Sequence, residues 1–303
     1  MKEEQAIHRE RLSGVFAPLT TPFDDRGNIL LEQMASNVQK LNGSGLRGYL
    51  VLGTNGEFRS LSTSEQMEVL RTVAKAASPD MVIMAGTGAE STKVSVDLCF
   101  QAAEAGAQYG SLITPFFFAK KMSDHALINH FVQIAEESPI PVLLYNNPGV
   151  TGITMSTSVV KEVSSHPKIV GMKDSSPGNL SAYILSAQSG FYLLAGSANF
   201  FFTGLLMGAV GGVLSLADAF PEPCCRLYEL GAGGKIEEGR GLQFYLMKIN
   251  QMVSGKFGVA GVKAAMDFAG FYGGPTRAPL APLTTDEKKK LREDLAAVGF
   301  LKE

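Results

Sequence analysis

Lys173 ends the apolar run Ile169-Val170-Gly171-Met172 and is followed at once by Asp174-Ser175-Ser176-Pro177-Gly178. Such a run reads as a buried strand, which places an amine where charge is poorly solvated. Desolvation disfavours the charged form of an amine, and a neutral amine attacks a ketone to form a Schiff base. Taken alone, the residue reads first as a strand-end lysine that snorkels to water. Other groups able to do chemistry follow apolar runs in the same way. These are Gly53-Thr54-Asn55-Gly56-Glu57, Thr114-Pro115-Phe116-Phe117-Phe118, Tyr145-Asn146-Asn147-Pro148-Gly149 and Gly196-Ser197-Ala198-Asn199.

The elements that must position these groups alternate along the chain. Short apolar segments at Gly14 to Leu19, Gly48 to Leu52, Met81 to Ala85, Tyr109 to Thr114, Val142 to Asn146, Ile169 to Lys173, Tyr192 to Ala195 and Gly212 to Leu216 read as strands. They are apolar on both faces, as buried parallel strands are. Helical segments lie between them. Ser62-Thr63-Ser64-Glu65 and Thr284-Thr285-Asp286-Glu287 are capping boxes, and Gly43 and Gly106 read as helix C-terminal caps. Eight strand–helix units predict an α/β fold, a (β/α)8 TIM barrel over residues 1–230, with a C-terminal helical extension over 231–303 packed on the barrel. Leu242, Tyr245, Leu246, Ile249, Met252 and Val253 share one face of that extension. An open doubly wound sheet is the alternative, but no G-x-G-x-x-G follows the first strand. Gly86-Thr87-Gly88 reads as a tight turn above the barrel.

Composition excludes several functions. The 303 residues are 45% hydrophobic and 18% charged, with a formal net charge of -2. Near-neutral charge without a basic cluster argues against nucleic acid and acidic membrane surfaces. Lys288-Lys289-Lys290 lies among acids and reads as a solvated helix face. Cys99, Cys224 and Cys225 lack metal or redox spacing, so a reduced cytoplasm is the simplest compartment. His8, His125, His130 and His166 form no zinc motif, and no metal is expected. Met1 to Arg11 is too charged for a signal peptide. Phe200 to Ala217 is long and apolar, but glycines break it, so it divides into a buried helix (Phe200 to Met207) and a short strand rather than spanning a membrane.

Together the strand ends resemble the dihydrodipicolinate synthase / N-acetylneuraminate lyase family of class I, pyruvate-handling aldolases. The resemblance covers nearly the whole chain from Ala17-Pro18-Leu19-Thr20-Thr21-Pro22-Phe23 onward. Within the family the sequence is most similar to the 4-hydroxy-2-oxoglutarate aldolases. The motifs carrying this are Gly53 to Phe58, Ala85 to Thr92, Val170 to Ser175, Leu194 to Ser197, Gly208 to Val213 and Tyr272 to Leu280. The resemblance implies that Lys173 forms the Schiff base, with no separate cofactor, and that Tyr145 shuttles protons. It implies that Thr54 and Asn55 sit over the substrate carboxylate, that Ser175 meets the distal part of the substrate, that Gly196 allows close backbone approach, and that the Val213 carbonyl faces the site. Glu57 reads as a brace for its loop. The implied partners are pyruvate and an aldehyde, and the implied assembly is a homotetramer.

Three positions depart from the family pattern. Val150 stands where dihydrodipicolinate synthases carry an arginine, and neither Arg47 nor Arg59 is an obvious replacement for that carboxylate fork. Ala198 and Asn199 stand where sialic acid lyases carry acids. Phe117 stands where many members carry a relay tyrosine, and phenylalanine moves no proton; either Thr54 or water completes the relay or the second substrate is handled differently, and Phe116-Phe117-Phe118 reads as interface or barrel-rim packing. The expected reaction is cleavage or formation of a short 4-hydroxy-2-oxo acid, with 4-hydroxy-2-oxoglutarate giving pyruvate and glyoxylate as the leading substrate. A 2-keto-3-deoxy sugar acid aldolase comes next, then 4-hydroxy-tetrahydrodipicolinate synthase, which Val150 disfavours. A non-catalytic 2-oxo-acid-binding protein is the alternative of a different class.

Overall fold

The computed structural model describes residues 2–301. Eight parallel strands run in chain order: β1 (Gly14–Ala17), β2 (Gly48–Val51), β3 (Val82–Gly86), β4 (Tyr109–Ile113), β5 (Val142–Asn146), β6 (Ile169–Asp174), β7 (Tyr192–Ala195) and β8 (Gly211–Val213). Each pairs with the next, and β1 pairs with β8, with Phe16 opposite Val213. That last pairing closes the barrel and rules out the open sheet.

Strand ends differ from the sequence reading for local reasons. β1 stops at Ala17 because Pro18 has no N–H to continue the ladder. β8 stops at Val213 rather than Leu216. After Leu214 N–H bonds to the Phe16 carbonyl, the chain tightens into the 3-10 turn Ser215–Asp218. Both capping boxes form, at Ser62 and Thr284. Gly43 and Gly106 take φ of 81° and 99°, the left-handed geometry that ends a helix. The long apolar stretch resolves into helix Phe201–Met207 and β8. No helix among the described residues is long and apolar enough to cross a membrane.

The core has two layers. Phe16, Leu50, Met84, Tyr109, Leu143, Val170, Leu194 and Val213 fill the barrel interior. A larger layer packs between strands and helices. Helix Lys2–Leu12, which no residue pattern announced, closes the N-terminal end of the barrel with the fully buried Leu12. Helices Ile236–Asn250 and Lys256–Phe268, joined through the π-helical turn Gln251–Gly255, and helix Thr285–Ala297 follow the last barrel helix, Pro221–Ala232. Leu246, Ile249 and Val253 are buried, and Leu242, Tyr245 and Met252 pack partly against the core.

One irregularity decides where the chemistry points. Val170 lies in the interior layer, whereas Met172, two residues on, lies in the outer one. Strict alternation would put both on one face. The register explains the switch: Val142 pairs with Ile169, but Leu143 pairs with Gly171. The extra residue is a β-bulge, which re-aims every side chain beyond it. A Cβ on Gly171 would lie 2.2 Å from the Tyr192 carbonyl oxygen, so the position requires glycine. Beyond the bulge Lys173 turns inward, beside its β5 partner Tyr145.

Candidate active site

Lys173 and Tyr145 are side by side at the C-terminal mouth of the barrel and nearly buried, at 7% and 5% exposure. The lysine Nζ lies 4.2 Å from the centroid of the tyrosine ring. The Tyr145 hydroxyl is 3.2 Å from Thr54 Oγ1 and accepts from Asn147 Nδ2 at 2.8 Å. Burial by itself raises a phenol pKa. Here the nearby Lys173 charge and the hydrogen bonds from Thr54, Asn147 and Lys173 outweigh burial, and the Tyr145 phenol is lowered below its ordinary value. A phenol so placed gives up and regains a proton more readily than free tyrosine.

Thr54 is presented by a strained turn. Gly56 N–H bonds to the Gly53 carbonyl and Glu57 N–H to the Thr54 carbonyl, both at 3.1 Å. The N–H groups of Thr54 and Asn55 have no backbone partner among the described residues. Leu52 (φ 61°) and Glu57 (φ 52°), the two non-glycine residues with left-handed backbone among the described residues, flank the turn. Such strain persists only where surroundings enforce it. The enforcement comes from the C-terminal segment. Lys263 Nζ lies 2.7 Å from Glu57 Oε1, with both side chains almost fully buried. Arg277 N–H donates to Glu57 Oε2 at 2.8 Å, and Lys263 donates to the Pro275 carbonyl at 2.7 Å. Glu57 therefore acts as the brace the sequence suggested. Burial lowers the Lys263 amine, and the charge and hydrogen bond of Glu57 oppose that. Lys263→Met would strand the Glu57 charge. It is expected to cost about 3 kcal/mol, the low end for breaking a buried pair, seen as a lower midpoint of chemical unfolding.

The other side of the mouth is locked by Asp174, which faces outward from β6. Its Oδ1 accepts from Asn146 Nδ2 at 2.8 Å and from Ser176 Oγ at 2.6 Å. Asn146 Nδ2 also reaches the Tyr183 hydroxyl at 3.2 Å. These bonds tie the ends of β5 and β6 to each other and to helix Leu180–Ser186.

The structure thus brings Lys173, Tyr145 and Thr54 together. Asn55 is adjacent, but its amide is turned to Asp218, donating to Oδ2 at 3.1 Å. Ser175 Oγ donates to the Gly196 carbonyl at 3.4 Å, and a Cβ on Gly196 would meet that Oγ at 2.1 Å. The side chain of Val213 forms part of the interior layer. Phe117 is 75% exposed and stacks edge-on against Phe118, with centroids 5.0 Å apart. The N–H groups of Phe116 and Phe117 donate to Glu90 Oε2, and Arg59 pairs with Glu90 at 3.0 Å. Arg59 is thereby engaged, and Arg47 precedes β2 and donates to the Arg11 carbonyl. Neither replaces a cation at Val150, which lies exposed in the short helix Pro148–Thr151.

Sequence reasoning missed Asn147, Asp218, Lys263 and Arg277. Asp218 and Lys263 carried a usable signal, since each is a lone charge inside an apolar run. Among the described residues no group of three or more His, Cys, Asp or Glu is placed to hold a metal ion.

A closed barrel with a buried lysine beside a tyrosine at its C-terminal mouth has the architecture of a Schiff-base aldolase. The chain matches the Dihydrodipicolinate synthetase family over residues 11–298 and belongs to that family, whose members are carbon–carbon lyases that use a Schiff base. It is 31% identical to a probable mitochondrial 4-hydroxy-2-oxoglutarate aldolase of Emericella nidulans, covering 94% of each chain. It is 32% identical to a 4-hydroxy-tetrahydrodipicolinate synthase of Methanothrix thermoacetophila, covering 95% of this chain and 97% of the other. Among solved structures, a prophage protein of the dihydrodipicolinic acid synthase family from E. coli K12, in complex with pyruvate, has a TM-score of 0.89 and 26% identity over 95% of this chain and 99% of that one.

Proposed function

We propose that this protein is a class I aldolase that cleaves or forms a short 4-hydroxy-2-oxo acid, with Lys173 as the Schiff-base lysine and Tyr145 as the proton carrier. The observation that carries the reading is the bulge-directed contact of the Lys173 amine with Tyr145, 4.2 Å from the ring centroid. Lys173 attacks the C2 ketone of the substrate, and the carbinolamine loses water to give an iminium. Tyr145 takes the proton of the 4-hydroxyl as the C3–C4 bond breaks, and the bonding pair moves into the iminium to leave an enamine. The aldehyde departs, C3 is protonated, and hydrolysis releases pyruvate and the free amine. The unpaired N–H groups of Thr54 and Asn55 suit the substrate carboxylate. The Thr54 hydroxyl, 3.2 Å from that of Tyr145, supports Thr54 as the relay partner in place of Phe117.

The leading substrate is 4-hydroxy-2-oxoglutarate, giving pyruvate and glyoxylate. Its support is the Emericella relative and the neutral Val150. The Methanothrix relative favours a second reading, 4-hydroxy-tetrahydrodipicolinate synthase, which Val150 weakens. Comparing kcat/KM for 4-hydroxy-2-oxoglutarate, for 2-keto-3-deoxygluconate and for condensation of pyruvate with aspartate semialdehyde separates the choices. The proposal expects the first to lead by at least about tenfold, and a preference for either other reaction overturns the substrate assignment. The exposed Phe117–Phe118 pair supports a homo-oligomer packed through this rim.

A further inference from the structure

A second acid stands beside the proposed site. Asp218 ends the 3-10 turn that leaves β8 at the barrel mouth, and none of it reaches solvent. Oδ2 accepts from the Asn55 amide, while Oδ1 is buried with no hydrogen-bond partner among the described residues. One neutral donor compensates a buried carboxylate poorly, whereas a neutral carboxyl group fits such a place. Burial accordingly pushes the acid up to about 8, against the opposing Asn55 bond and Lys173 charge.

The surroundings offer little else that titrates. Lys173 on β6 acts on it by charge, and helix Pro221–Ala232 packs against the turn with Cys224, whose thiol burial holds protonated, and carries Cys225 and Glu222 beside it. β1 and the π-helical turn Gln251–Gly255 pack on this turn and carry no titratable side chain. Helix Lys256–Phe268 also packs there, and its buried lysine, Lys263, is paired with Glu57.

We propose that Asp218 is a positioning residue for the 2-oxo acid: its neutral carboxyl group holds Asn55, and with it the Thr54–Asn55 turn, and its carboxylate opposes the incoming substrate carboxylate. The inference rests on the aldolase reading. It requires pyruvate to bind when Asp218 is neutral and to be rejected when Asp218 is charged. With ionisation at about 8, the apparent affinity falls by about tenfold between pH 7 and pH 9.

The test measures the pyruvate concentration that half-saturates borohydride trapping at pH 7 and pH 9. Wild type is expected to show the rise of about tenfold. Asp218→Asn, which keeps a hydrogen-bonding group without the charge, is expected to lose it. Asp218→Leu, which gives Asn55 no partner, is expected to need more pyruvate at both pH values. An Asn variant that retains the full rise, or a Leu variant that binds as wild type at pH 7, overturns the proposal. Should both variants fail to fold, infrared spectra of the wild type decide: a protonated-carboxyl band lost between pH 7 and pH 9 supports the assignment, and its absence overturns it. Absence of any wild-type adduct at pH 7 contradicts the aldolase reading itself, an outcome distinct from an adduct that forms without the pH-dependent change.

Discussion

Lys173→Ala is expected to bring turnover to background, a loss of at least about 10^4-fold against the roughly 10^6-fold or larger acceleration typical of enzymes. Cleavage of the C3–C4 bond needs an electron sink at C2, and the iminium on Lys173 is that sink. Lys263, the other buried lysine among the described residues, cannot substitute, because its amine is committed to Glu57 and to the Pro275 carbonyl. The fold is expected to survive, since Lys173 takes part in none of the ion pairs that hold the site loops. Steady-state assays with an unfolding control separate the two effects. Retained turnover in the folded variant contradicts the covalent mechanism.

Tyr145→Phe is expected to lower kcat by about 10^3-fold, midway in the range for losing a general acid–base group. The ring would remain beside Lys173, so the amine keeps its packing and loses only the hydroxyl. Thr54 and Asn147 would each lose a hydrogen-bond partner, which adds a modest stability cost. Because the amine is intact, a pyruvate adduct on Lys173 should still form, more slowly. That combination, trapping without turnover, distinguishes a proton carrier from a residue that merely shapes the pocket. A kcat within tenfold of wild type assigns the proton transfer to another group.

Much of this was legible in the chain because strand ends are local features. An apolar run followed by Lys173-Asp174-Ser175, or by Tyr145-Asn146-Asn147, marks the mouth of a parallel barrel wherever it occurs. Glu57 was legible as a brace because Gly-Thr-Asn-Gly-Glu is recognisable turn chemistry. What supports those groups was hidden, because it depends on tertiary placement. Arg277 and Lys263 lie more than two hundred residues from the loop they hold. The β6 bulge was also hidden. Val170-Gly171-Met172 reads as a uniform apolar run, and only the neighbouring strands reveal the change of face that turns Lys173 inward. The role of Asn55 was half legible. Its turn was recognised, but its amide partner, Asp218, comes from the turn after β8, distant in the chain and adjacent only in the folded barrel.

The most direct measurement is borohydride reduction of the protein in the presence of pyruvate, followed by peptide mass mapping. The account predicts a single reduced adduct on the peptide containing Lys173, absent from Lys173→Ala. No adduct, or an adduct on a different lysine, contradicts it.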